Sequence, residues 1–228
     1  RVDAKKFAAE SKLSVEDAAR KLRYTVLFEI LSKHKSEYIV TAHHRDDQAE
    51  TLLLHLLRGS GAEGLGGMRC HNNSIVRPFL QVSRRMLEAY CAMRSLDYRT
   101  DSSNMDLYYT RNKVRHILLP LLEREFNPNI KQALAQTATL IAEDADCLNE
   151  LAEEKFLQYV LQDDHSCSCD TAWLLSLPAA LCSRIIRMMW KKLGAAGLLT
   201  FQQTQQVIGL VHKGSSNKRL MLPGGTCA

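Results

Sequence analysis

The stretch YIVTAHHRDDQAETLLLHLL, residues 38 to 57, limits the fold of this chain more than any other segment. It opens with Tyr38 to Ala42, a short apolar and β-forming run of the kind found in strands buried on both faces of a parallel sheet. It closes with Ala49, Leu52, Leu53, Leu56 and Leu57 at helical spacing, which predicts a helix from Asp47 to Leu57. Between them, residues 42 to 51 hold two histidines, one arginine and three carboxylates. A strand that turns straight into a helix is the repeating step of an open α/β sheet, and ligands bind such sheets in the crevice beyond the carboxyl ends of the strands. The charged turn is therefore expected where chemistry occurs.

The rest of the chain extends this pattern and then leaves it. Residues 14 to 34 place Val15, Ala18, Ala19, Leu22, Val26, Leu27, Ile30 and Leu31 on one helical face, with Ser14 as N-cap. IVRPFL, residues 75 to 80, reads as a strand or extended segment, and Pro78 argues against a central strand. Ser83 caps a helix to about Leu96. Another helix covers residues 110 to 126, and Pro120 predicts a kink in it. Beyond the NPN breaker at 127 to 129 the character changes. One helical period runs from Ile130 to Val160, QDDHSCSCD makes a loop, and two further helices run from Pro178 to Leu193 and from Thr200 to His212. The predicted class is α/β: a partial Rossmann-like domain over residues 1–126, a parallel sheet with flanking helices, followed by an all-helical second domain over 127–228.

At 228 residues and 46% hydrophobic content the chain can bury a sizeable core. No apolar run reaches membrane-spanning length and the first residues do not read as a signal peptide, so a soluble, cytoplasmic protein with no membrane partner is expected. Seven cysteines, an odd number set mostly in apolar or helical patterns, fit a reducing compartment. Cys167 and Cys169 form a C-x-C without the second pair that a zinc site needs. A net charge of +5 permits a polyanionic partner without demanding one.

Several groups of residues could carry chemistry. Asp46, Asp47 and Glu50 can converge from a strand end and a first helical turn, where they could hold Mg²⁺ with phosphates, grip an ammonium group or orient a base. Acids in a first turn also simply favour the helix dipole. His43 and His44 point to opposite sides if the strand continues through them, so at most one faces the crevice. A metal-dependent phosphohydrolase would need further His or Asp ligands, and His34, His55, His71 and His116 lie in no comparable setting. RGSGAEGLGG, 58 to 67, is either a glycine-rich helix stop or a loop whose backbone N–H groups cradle a phosphate; it is not a Walker A sequence. DSSNMDLYYTRNKVR, 101 to 115, joins Asp101, Ser103 and Asn104 to Arg111, Asn112 and Arg115, with the two arginines on one helical face suited to phosphates. Its plainer reading is a capped helix with solvated arginines. Arg184, Arg187 and Lys191, with Lys192 alongside, make a basic stripe that is either a solvated face or a polyanion contact.

AARKLRY at 18 to 24, TAHHRDDQAETLLLHLLRGSGAEGLGGM at 41 to 68, RPFL at 77 to 80 and DSSNMDLYYTRNKVRHILLP at 101 to 120, taken in order, resemble the tRNA(Ile)-lysidine synthases, N-type ATP pyrophosphatases of the PP-loop superfamily. LPAALCSRIIRMMWKKLG and the late LMLPGG match that family's tRNA-binding domain more loosely. The resemblance implies ATP-dependent adenylation of the C2 oxygen of the wobble cytidine in tRNA(Ile) with a CAU anticodon, then attack by free L-lysine and release of AMP. It implies His43, Asp47, Glu50 and Arg115 as catalytic residues, Arg23, Arg58, Gly59, Ser60 and Gly61 beside ATP, and Asp46 as a helper of Mg²⁺. Asp101, Asn104, Arg111 and Asn112 become substrate contacts, and a homodimer is compatible with the family. The family's SGGxDS phosphate loop does not occur in the sequence, and it is expected just upstream of Arg1. A non-catalytic RNA-binding fragment is the alternative of a different class. A 2-thiolating relative is the nearer one, though such enzymes want C-x-x-C pairs.

Overall fold

The computed structural model describes residues 3–11, 14–99, 106–194, 197–214, 219–222 and 227–228. The chain divides into two compact units, 1–142 and 143–228. The division falls inside a 30-residue helix, Ile130–Tyr159, whereas the expected boundary at 126/127 lies just before it.

In the first unit α1 (Ala4–Ser11) and α2 (Val15–Lys33) lead to β1 (Ile39–Val40). Ser14 caps α2, its hydroxyl accepting the Asp17 N–H at 3.1 Å. Next come α3 (Arg45–Leu57), α4 (Ala62–Leu65), β2 (His71–Asn72) and β3 (Ile75–Val76). β1 runs parallel to β3, Ile39 opposite Ile75, while β2 pairs antiparallel on the other side of β3. The described sheet is thus three-stranded and mixed rather than wholly parallel. The β2–β3 hairpin escaped the sequence reading because His71 and Asn72 carry no strand pattern.

After α5 (Arg84–Met93), the chain forms α6 (Thr110–Lys113), a π-helical turn (Val114–Leu118) and α7 (Leu119–Glu125). The Leu119 N–H reaches back five residues to the Val114 carbonyl, and Pro120, with no N–H to donate, follows at once. The kink expected at Pro120 is therefore a widened turn. This segment is held against α3 by a small core in which Ala49, Leu53 and Leu54 meet Val114 and Leu119, with Leu118, Leu122 and Leu134 at its margin. Leu119 is 1% exposed, and truncating such a leucine to alanine costs about 2–5 kcal/mol. The contact fixes Arg111 and Arg115 opposite the first turns of α3.

Gln48, buried on α3, fastens the glycine segment. Its amide donates to the Gly66 and Met68 carbonyls at 3.3 and 3.1 Å and accepts the Met68 N–H at 2.8 Å. Gly67 has φ +64°, and a Cβ there would lie 2.8 Å from the Gln48 amide, so glycine is required both for its backbone and for space.

The second unit takes the C-terminal part of α8 (Ile130–Tyr159) with α9 (Thr171–Ser176), α10 (Ala179–Lys192) and α11 (Phe201–His212). It is helical except for a short antiparallel hairpin, β4 (Leu161–Gln162) with β5 (Cys167–Ser168), where a loop and an all-helical domain were expected. Asp163 closes the hairpin turn: its Oδ1 accepts the His165 and Ser166 N–H groups at 2.8 and 2.6 Å, local chemistry that no periodicity signals. The core gathers Phe156, Leu174, Ile185, Ile186 and Trp190. The expected basic stripe is broken, because Arg184 is 8% exposed and turns inward, donating from Nε to Asn149 Oδ1 at 2.8 Å. Burial pushes the Cys167, Cys169 and Cys182 thiols up, as suits unreactive packing cysteines. Among the described residues no helix is long and apolar enough to cross a membrane.

Candidate functional site

The two histidines of the opening turn have different duties. His44 is the N-cap of α3: its Nδ1 accepts the Asp47 N–H at 3.3 Å, and Asp47 Oδ2 accepts the His44 N–H at 3.0 Å, a reciprocal capping box. The helix therefore starts at Arg45, two residues earlier than expected. His43 has Thr41 Oγ1 2.9 Å from its Nδ1, which leaves Nε2 for exchange with a substrate. The His43 pKa is lowered, chiefly by burial; the charge of Asp47 pulls it up, and the charges of Arg77, Arg111 and Arg20, each a weaker effect, push it down again. At neutral pH the ring is thus a neutral proton acceptor.

Asp47 and Glu50 converge as expected, but upon two arginines. Glu50, 2% exposed, accepts Arg115 Nε on Oε1 at 2.6 Å, and Arg111 Nε and Arg115 Nη2 on Oε2 at 2.9 and 2.8 Å. Asp47 Oδ1 faces Arg111 Nη2 at 3.4 Å and Arg115 Nη2 at 3.1 Å. The result is a network of two buried acids and two half-buried guanidinium groups joining positions 61 to 68 residues apart in sequence. Burial works against the charge of Arg115, but the hydrogen bond and charge of Glu50, with Asp47 and Asp46, outweigh it and raise its pKa.

Asp46 stands apart, accepting the Arg84 N–H at 3.3 Å. Together with Glu50, Arg84, Arg115 and Lys131 it borders a cavity of about 210 Å³, below the ~300–1,000 Å³ of sites for drug-sized ligands. The described residues contain no group of three or more His, Cys, Asp or Glu suited to a metal. Among the described residues Asp47 and Glu50 are ion-paired with arginines and Asp46 is not, and one carboxylate does not make a metal site. The residues present do not by themselves fit Mg²⁺.

The other expected site residues separate. Arg58 and Gly59 end α3 in a Schellman cap: Gly59, at φ +72°, donates to the Leu56 carbonyl at 3.0 Å and Ser60 to that of His55 at 2.9 Å. Those N–H groups are spent within the chain. Helical rise puts Arg58 about 16 Å from Asp47 along α3, so Arg58, Gly59, Ser60 and the adjoining Gly61 are not brought to the acids. Arg23 is exposed on α2, while Arg20, one turn earlier, is the arginine that acts on His43. Asn112 is buried and gives its amide to the Asp106 carbonyl at 2.8 Å, bracing the turn before α6. Asp101 and Asn104 lie outside the described residues. The residues that sequence reasoning missed are Thr41, His44 as a cap, Arg20 and Arg77. Arg20 in AARKLRY, Thr41 in TAHHRDDQ and Arg77 in RPFL each stood within a quoted motif without a role.

Comparison with known proteins gives this geometry a family. Residues 1–122 match the PP-loop domain family and residues 170–228 the TilS substrate binding domain. The chain is 34% identical to the tRNA(Ile)-lysidine synthase of Geobacillus kaustophilus, over 98% of this chain and 49% of that protein. It is 38% identical to that of Thermobifida fusca, over 92% of this chain and 64% of the relative. For a Nostoc species the figures are 34%, 96% and 69%. The chain thus spans from about half to two thirds of the length of these relatives. A family match over more than half of the chain, with a second match in its C-terminal part and relatives of one name aligned through nearly all of it, leads to one assignment: the chain belongs to the tRNA(Ile)-lysidine synthase family of PP-loop proteins.

Proposed function

We propose that the chain carries the lysine-transfer part of an ATP-dependent ligase that joins L-lysine to C2 of the wobble cytidine of tRNA(Ile) with a CAU anticodon, in the cytoplasm. The observation that supports this best is the network of Asp47, Glu50, Arg111 and Arg115 beside a neutral His43. In this reading the ε-ammonium of lysine takes the place of the Arg111 guanidinium, whose contacts with Glu50 and Asp47, 2.9 and 3.4 Å, are longer than those of Arg115. His43 Nε2 takes the proton that the ammonium must lose before its nitrogen can attack. Arg115, fixed by Glu50, faces the negative charge that AMP carries as it leaves. A Mg²⁺ ion carried in with the nucleotide would meet Asp46 and take its other ligands from phosphate oxygens.

The test uses the full-length protein with ATP, an unmodified tRNA(Ile) transcript and radiolabelled lysine. Label that stays on the tRNA, needs ATP and is absent from tRNA lacking the wobble cytidine supports the proposal. ATP consumption indifferent to lysine, or tRNA without label, sinks it.

A further inference from the structure

Arg77 takes no part in the acid–arginine network, and its setting is costly. It is 5% exposed at the carboxyl end of β3, the strand parallel to β1, whose end leads to His43. Among the described residues its side chain makes one hydrogen bond, from Nη1 to the Arg69 carbonyl at 2.8 Å, and Nε is buried with no partner. Among the described residues no carboxylate pairs with it. A buried guanidinium without a counter-ion is strongly unfavourable unless an anion arrives to satisfy it. Arg20 from α2 and Arg111 from α6 add positive charge around the same histidine, and Asp47 is the acid that faces it. The charges of three arginines thus bear on His43, and Arg77 and His43 both follow the carboxyl ends of strands, where open α/β folds bind ligands.

We propose that Arg77 is an anion-holding residue of the site: its guanidinium, buried at the end of β3 with Nε unpaired, receives a phosphate oxygen beside His43. The proposal rests on the ligase reading only for the identity of the anion, either the phosphate of the adenylyl group or the departing pyrophosphate. Binding also sets the histidine. Arg77, Arg111 and Arg20 disfavour imidazolium in the free protein, and an anion among them offsets that charge, so His43 becomes a stronger base when the phosphate is in place. Arg77 is then a positioning residue that couples occupancy of the phosphate site to the proton acceptor.

The experiment follows the His43 ring by NMR titration in the full-length protein, alone and with AMP or inorganic pyrophosphate, in wild type, Arg77→Gln and Arg77→Lys. Thermal unfolding checks that each variant is folded. The expected result is a rise in the His43 pKa with one of the two anions, which names the source. Arg77→Gln should start from a higher His43 pKa, show a smaller rise and bind that anion about tenfold or more weakly. Arg77→Lys should keep the low starting value and part of the affinity. If neither anion moves His43, or if folded Arg77→Gln binds both as wild type does, the proposal is overturned. If lysine transfer fails while an anion still moves His43 through Arg77, the ligase reading falls and the anion site stands.

Discussion

Replacing Glu50 by glutamine keeps the shape of the side chain and removes its charge, which isolates the network from packing. Wild-type Glu50 accepts three guanidinium hydrogen bonds at 2.6, 2.8 and 2.9 Å in a setting only 2% exposed. Removing one partner of a buried ion pair costs about 3–5 kcal/mol when the partners left behind are desolvated, and Arg111 and Arg115 are so in part. Here Asp47 still faces both arginines, so the lower end, about 3 kcal/mol, is expected. For a chain of 228 residues, at roughly 2–4 °C per kcal/mol, this is a fall in Tm of about 6–12 °C. Circular dichroism melts and urea midpoints measure it, and a double-mutant cycle with Arg115→Met separates the pair from its surroundings. The double variant should lose clearly less than the sum of the two single losses. A Glu50→Gln protein within about 1 kcal/mol of wild type, or additive losses in the cycle, refutes the network as the element that ties α3 to the π-helical turn.

Other consequences follow from single residues. His43 has a folded-state pKa below its unfolded value, so the unfolded chain binds the extra proton first; stability should fall as pH drops below about 6.5, and His43→Gln should flatten the dependence of Tm on pH between 7.5 and 5.5. Gly67→Ala meets both a φ of +64° and the Gln48 amide at 2.8 Å. It should cost about 1–3 kcal/mol in urea unfolding, and Gln48→Ala in the same chain should recover only the steric part. Pro120→Ala restores an N–H donor behind the π-helical turn, so thermal stability should hold or rise while lysine transfer falls as Arg115 is re-aimed. Cys182, 4% exposed with a raised thiol pKa, should react with a thiol reagent at pH 8 only after denaturant is added.

What the sequence revealed follows from the range of each signal. Helices with an apolar face and a local cap were legible to within a few residues: 14 to 34 is Val15–Lys33, and Ile130 to Val160 is Ile130–Tyr159. Two-residue strands such as β2 and β4 were not, since two residues cannot display a period of two. The turn at 43 to 50 was correctly marked as the site, yet its partners were not, because Glu50 and Arg115 meet through tertiary packing of Leu53 against Val114 and Leu119. Three acids close together suggested a cation to be bound, and two of them bind the chain's own arginines. The glycines at 59 and 61 suggested a phosphate loop, and the first serves a helix cap whose N–H groups are already used. Arg77 is the reverse case: an ordinary residue in the sequence that burial without a counter-ion makes conspicuous.

The central claim is that this cluster transfers lysine to an activated tRNA base, with His43 as the proton acceptor of that step alone. Single-turnover reactions of full-length His43→Gln with tRNA(Ile), ATP and labelled lysine, in which pyrophosphate release and lysine attachment are followed in the same samples, test it directly. The account predicts that pyrophosphate release stays within a few-fold of wild type while lysine attachment slows about 10²-fold or more. Equal loss of both steps, or no loss of attachment, would contradict it.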